Sequence, residues 1–227
     1  MTLPTYAALL FGALLTFEDG FVAGAAVQEN QTFDFAGFIE FQQLGAVPGL
    51  SVGEVFQGSF TFDPLTPGVA NTPPDITLDT KYRAITSWQV SIPASSLAFS
   101  GSFGEIALGN NAPQWFLSDR YIVTMFPDSS QPLVVSGHEF RFFQINLIDY
   151  TPNTGADMLR DSSLPSEPPD LSLTAASDRT GRFVFNDASF QNRMTSLTAV
   201  PEPSQFVLAL VGTIIIAFWS RSRKTRG

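Results

Sequence analysis

This chain of 227 residues predicts an all-β fold, an antiparallel β-sandwich of jelly-roll or Ig-like type. Three observations point there. Apolar residues along the middle recur with period two rather than the helical period of about 3.6. Segments rich in Pro and Gly interrupt these runs at short intervals. The 22 Phe residues supply core rings that carry no polar atom to satisfy. No internal stretch sustains a helical period. Between Val27 and Ala199 the chain is long enough for one domain with a real core and too short for two.

The clearest strands come first. From Phe33 to Phe41 the odd positions are Phe33, Phe35, Gly37, Ile39 and Phe41, with Asp34 and Glu40 on the other face. From Phe56 to Phe62 the even positions are Phe56, Gly58, Phe60 and Phe62, while Gln57, Ser59 and Thr61 are polar, as a half-buried strand requires. Trp88, Val90 and Ile92 alternate in the same way with Gln89 and Ser91. The runs Leu97 to Leu108, Gln114 to Phe126, Phe140 to Ile148 and Arg182 to Phe190 are apolar on both faces, which reads as sandwich-core strands. Turns are expected at Asp63 to Asp75 with four Pro, at Gly109-Asn110-Asn111, at Pro127 to Pro132, and at Leu164 to Asp170 with three Pro.

Composition excludes several functions. With no Cys there is no disulfide framework, no thiol nucleophile and no Cys-containing zinc site. A net charge of -9 argues against a nucleic-acid partner, which would need a basic face for phosphates. The 15% of charged residues lies below the roughly 25% usual in soluble domains, and the chain reads as exported.

Both ends suggest targeting. Thr5 to Phe17 is an uncharged apolar run of 13 residues followed by Ala23, Gly24, Ala25 and Ala26, so residues 1–26 are expected to be a signal helix cut near Ala25 or Ala26. The other end reads Pro201-Glu202-Pro203, then an apolar run of 14 residues from Phe206 to Trp219, then Arg221, Arg223, Lys224 and Arg226. A transmembrane helix is expected over 204–220, with the basic residues as a stop-transfer signal on the cytoplasmic side. Residues 27–199 would then be an exported domain, carrying 8 basic and 18 acidic residues, a net -10.

A Pro-Glu-Pro triplet, a single apolar segment and a terminal basic cluster, in that order, resemble the PEP-CTERM sorting signal of exported proteins from Gram-negative bacteria. The resemblance covers residues 200–227. It implies processing near Pro201, Glu202 and Pro203 by a membrane-embedded exosortase, transient attachment to the inner membrane, and association with extracellular polysaccharide or biofilm at the cell surface or in the extracellular matrix. Gly58-Ser59-Phe60-Thr61-Phe62-Asp63-Pro64 also resembles a strand-and-turn element of the exported part of such proteins. The sortase motif L-P-x-T-G has only a poor match, Thr151-Pro152-Asn153-Thr154-Gly155, placed about 50 residues before the apolar run.

Catalytic chemistry finds little footing, and no cofactor is implied. His138 is the only histidine, and no G-x-S-x-G elbow accompanies it, so a solvated strand-edge residue is expected. Glu54 with Glu105 or Glu139 offers a glycosidase-like carboxylate pair that nothing selects from the other acids. Asp75 with Asp79, or Asn186 with Asp187, offers calcium-binding oxygens without the regular D-x-D-x-D-G loop. Trp88 or Trp115 with Tyr121 would form a sugar-stacking platform if exposed, although alternation turns Trp88 toward the core. The expectation is a non-enzymatic protein, with a carbohydrate-binding or adhesive module as the alternative and a secreted hydrolase as the third reading.

Overall fold

The protein is represented by a computed structural model that describes residues 29–70, 80–112, 118–128, 130, 132–150 and 157–201. Its strands are β1 (Gln31–Leu44), β2 (Val55–Phe62), β3 (Val69–Ala70), β4 (Thr80–Ile92), β5 (Leu97–Gly101), β6 (Phe103–Ala112), β7 (Ser118–Phe126), β8 (Val134–Val135), β9 (His138–Asp149), β10 (Arg179–Phe185) and β11 (Ser189–Ala199). Short 3-10 turns at Pro93–Ser95, Leu171–Leu173 and Ala176–Asp178 accompany them.

Each principal strand pairs antiparallel with the next in the order β1, β2, β4, β6, β7, β9, β10, β11, and β11 returns to β1. The result is a closed eight-stranded up-and-down barrel. This corrects the expected sandwich. A period of two reports that one face of each strand is buried, but not whether those faces belong to two stacked sheets or to one sheet curled on itself. Closure is decided by β10, which pairs with β11 on one side and β9 on the other. Of the smaller strands, β3 lies beside β4 and β8 beside β9. β5 continues the line of β6, so that β4 is paired along both its halves. A bulge at Thr86, where Thr61 faces Ser87 but Phe62 faces Ile85, bends β4 into the curve.

Local boundaries also moved. The run Arg182 to Phe190, read as one strand, is a hairpin in which β10 and β11 meet around residues 186–188. Gly109-Asn110-Asn111, expected to turn, lies within β6.

The interior is filled. Among the described residues eleven Phe are buried, and an eight-stranded barrel has just enough room for side chains. Phe183 sits among Phe143, Phe56 and Phe99 with ring centroids 4.7, 5.5 and 5.7 Å away. The glycines in the two clearest strands are explained by the register, which sets Phe35 opposite Gly58 and Gly37 opposite Phe56. A Cβ at Gly58 would come within 2.5 Å of the Phe35 ring, and one at Gly37 within 2.6 Å of the Phe56 ring. Each ring lies across the space that its partner's missing side chain leaves open.

Both ends of the barrel are covered. Residues 157–178 fold over the end where β7 begins, burying Met158 and Leu159. The buried Asp119 accepts the Leu159 backbone N–H at 3.0 Å, and the Tyr82 hydroxyl donates to the Ser162 carbonyl at 2.6 Å. At the opposite end the β1–β2 loop buries Val47 and Leu50. The outer wall carries polar side chains such as Gln57, Arg83, Gln89, Ser91, Arg182 and Gln191. That is the reverse of a lipid-facing barrel, whose outer band is apolar.

No helix among the described residues is long and apolar enough to cross a membrane. The C-terminal helical anchor and the inner-membrane attachment expected from it are therefore not supported. The sequence itself leaves the anchor short: as a helix, an apolar run of 14 residues would span about 21 Å, against a hydrocarbon core of about 30 Å. Residues 204–220, like the expected signal helix over 1–26, lie outside the described residues.

Candidate functional site

Several sequence-derived candidates turn out to be structural. Trp88 is 3% exposed and Tyr121 fully buried, so neither can stack on a sugar; Trp115 lies outside the described residues. Burial also pushes the Tyr121 hydroxyl far above its ordinary pKa, so it stays neutral. His138 opens β9 and pairs through Nδ1 with Asp187 Oδ1 at 2.8 Å, across the β10–β11 turn. Asn186 Oδ1 accepts the Glu139 backbone N–H at 3.0 Å. The Asn186 and Asp187 oxygens, which the sequence offers for calcium, therefore knit this hairpin tip to β9, and Asp75 and Asp79 fall outside the described residues.

The candidate carboxylates do not converge. Glu54 accepts the Ser51 backbone N–H at 3.0 Å, Glu105 pairs with Arg83 at 3.3 Å, and Glu139 pairs with Arg141 at 2.9 Å. Each is engaged in its own local contact. Among the described residues, no three acidic or histidine side chains come together as a metal site.

Of the sorting residues, Pro201 is described and exposed, while Glu202, Pro203, Arg221, Arg223, Lys224 and Arg226 are not among the described residues. The barrel holds the chain almost to the triplet. Ala199 pairs with Phe33, and the Val200 N–H donates to the Thr32 carbonyl at 2.9 Å. Pro201 then borders a cavity of about 280 Å³ shared with Gln31, Thr32, Ser166 and Glu167.

The feature that sequence reasoning missed is an aromatic row on the outer wall. Phe103 and Phe126 are directly opposite on β6 and β7, stacked with centroids 5.6 Å apart. Phe142 on β9 meets Phe126 edge-on at 6.1 Å. Phe103 is 43% exposed, and the other two rings are half-buried. The neighbouring rung is polar: Glu105 faces Thr124, which faces Gln144, which faces Arg182. Within it the Gln144 amide donates to the Thr124 hydroxyl at 3.1 Å.

The row is held from behind. The buried Trp88 indole donates through Nε1 to the Phe126 carbonyl at 3.0 Å. Asp128, just past β7, accepts from the backbone N–H and hydroxyl of Ser102 at 3.0 and 2.6 Å, clamping the turn that precedes Phe103. A signal for the row existed in the sequence, because these strands were apolar on both faces. On sequence alone it reads as a sandwich core, whereas in a barrel the second apolar face is the outside.

The clamp has a measurable signature. The Ser102 hydroxyl, and next its N–H, hold the Asp128 carboxyl below the ordinary carboxylate pKa. A folded-state pKa below the unfolded one means that the clamp contributes stability above the unfolded pKa and loses it as pH falls through the folded one. Ser102→Ala should move the Asp128 titration midpoint, followed by carboxyl carbon NMR, up toward the ordinary value. An unmoved midpoint would show that the hydroxyl is not the cause.

No family model, curated protein or solved structure matches the chain.

Proposed function

We propose that this chain is an exported, non-enzymatic protein of the cell surface or extracellular matrix, matured by an exosortase-type enzyme acting near Pro201-Glu202-Pro203. The observation that carries this reading is the order of the tail: the triplet, then the apolar run, then four basic residues within the last seven positions. Two structural features support it. The ladder between β1 and β11 runs to Val200, so the triplet begins directly after it, and Pro201 is exposed to an approaching enzyme. The barrel interior is taken up by Phe rings, which suits a scaffold whose outer surface meets other matrix components.

Mass spectrometry of protein recovered from the outer surface should find no peptides from Arg221 to Gly227. Intact peptides from that segment would overturn the proposal. Glu202→Ala should leave the full-length precursor as the main species, since the triplet would no longer be recognised; normal maturation of this variant would make the triplet incidental.

A further inference from the structure

We infer that the outer row of Phe103, Phe126 and Phe142 is a binding face for a neutral, extended polysaccharide. Phe103 and Phe126 lie near-parallel at 5.6 Å and Phe142 stands edge-on to Phe126 at 6.1 Å, so three neighbouring strands offer ring faces and edges at a spacing comparable to the advance of one pyranose unit along an extended glycan. The C–H faces of pyranose rings pack on aromatic faces, and their equatorial hydroxyls then reach sideways. Here they would meet Thr124, Gln144 and Arg182 on the adjoining rung, which together offer donors and acceptors.

Two further observations favour a ligand over chance exposure. The core accommodates eleven Phe, yet these three rings turn outward next to one another, and contiguous aromatic exposure marks interaction surfaces. Their backbone is also fixed, by the buried Trp88 indole and by the Ser102–Asp128 clamp, so little ordering is lost on binding.

Charge selects the class of glycan. Residues 27–199 carry a net -10, which repels an anionic polymer at long range. The flanking Arg83–Glu105 and Arg141–Glu139 pairs cancel locally, and among the described residues the adjoining rung adds one cation, Arg182, opposite Gln144 rather than a cluster that could grip acidic sugars. A second copy of the chain fits less well, since stable protein interfaces bury on the order of 1,000 Å² and three rings cover much less. The inference is independent of how the tail is processed, so failure of either leaves the other standing.

Affinity electrophoresis of the full chain tests it, in gels containing hydroxyethyl cellulose, mannan or galactan as neutral polymers and alginate as the anionic one. At least one neutral polymer should retard the protein while alginate does not. Phe103→Ala should weaken the retardation about tenfold, the factor set by ~1.4 kcal/mol of lost stacking, and Phe103→Tyr should retain it. Phe41→Ala, which removes another exposed ring, 42% accessible on β1, should change nothing. Thermal melts identify any variant that fails to fold; if Phe103→Ala does, Phe142→Ala, which trims the same row from β9, carries the test and should weaken the retardation likewise. The inference is overturned by retardation that Phe103→Ala leaves intact, by a preference for alginate, or by no retardation in any neutral polymer. Self-association lost in Phe103→Ala without glycan binding would instead make the row an interface between copies, and equally overturn it.

Discussion

Phe183→Ala is expected to destabilise the barrel by about 3–5 kcal/mol, the range for removing a buried aromatic ring and leaving a cavity. Phe183 is fully buried and touches rings from three other strands, Phe56, Phe99 and Phe143. Those strands are tied into the barrel wall by their ladders, which limits how far the neighbours can collapse into the space. Against a total stability of roughly 5–15 kcal/mol for a domain, the loss is a large fraction, and no disulfide restrains the unfolded chain. Urea denaturation should show a lower midpoint with an unchanged slope. A loss below about 1 kcal/mol would mean that the rings repack freely, contrary to the close-packed interior described.

Gly58→Ala should also be costly, although it adds only one methyl group. The new Cβ would lie 2.3 Å from the Gln89 carbonyl and 2.5 Å from the Phe35 ring. The carbonyl belongs to β4, which is paired with β2 through this very stretch, so the obstacle cannot swing away like a side-chain tip. Overpacking of this kind costs about 1–3 kcal/mol or more. In a Phe35→Leu background the ring part of the clash is relieved while the carbonyl part stays. The cycle should therefore show a coupling of about 0.5–3 kcal/mol. Equal costs of Gly58→Ala in both backgrounds would mean that the Phe35 ring is not what excludes a side chain there.

How much was legible in the sequence depends on the distance between cause and effect. The strands containing Phe33, Phe56 and Trp88 declared themselves through alternation, and Gly37 and Gly58 sat on the correct faces before any register was known. Closure did not declare itself, because it depends on pairing Phe33 with Ala199, residues at opposite ends of the domain. The closing strand was also disguised: its inward positions include Asn192, which breaks the apolar alternation of Phe190, Met194 and Leu197. The aromatic row was hidden by the same ambiguity. Once three strands are apolar on both faces, only the curvature of the sheet tells which rings look into the core and which look out. His138 and Asp187 are 49 positions apart and meet only because the β10–β11 turn folds over the start of β9. The tail is the converse case, legible as an ordered motif and beyond the described residues from Glu202 onward.

The ring of strands closes by joining its first member to its last, and if the chain is exported N-terminus first, as proposed above, this would set a schedule. Until Ser189–Ala199 arrives, β1 and β10 are both open edges with unpaired backbone groups, the kind of surface that recruits other chains into aggregates. The sheet cannot hide those edges early, since its final contacts span nearly the whole domain and such long-range pairing forms slowly. The segment that completes the barrel lies immediately ahead of Pro201, so on the proposed reading the closing strand would emerge just before the triplet. A processing enzyme waiting for that triplet would meet it only on chains whose closing strand has already reached the outside.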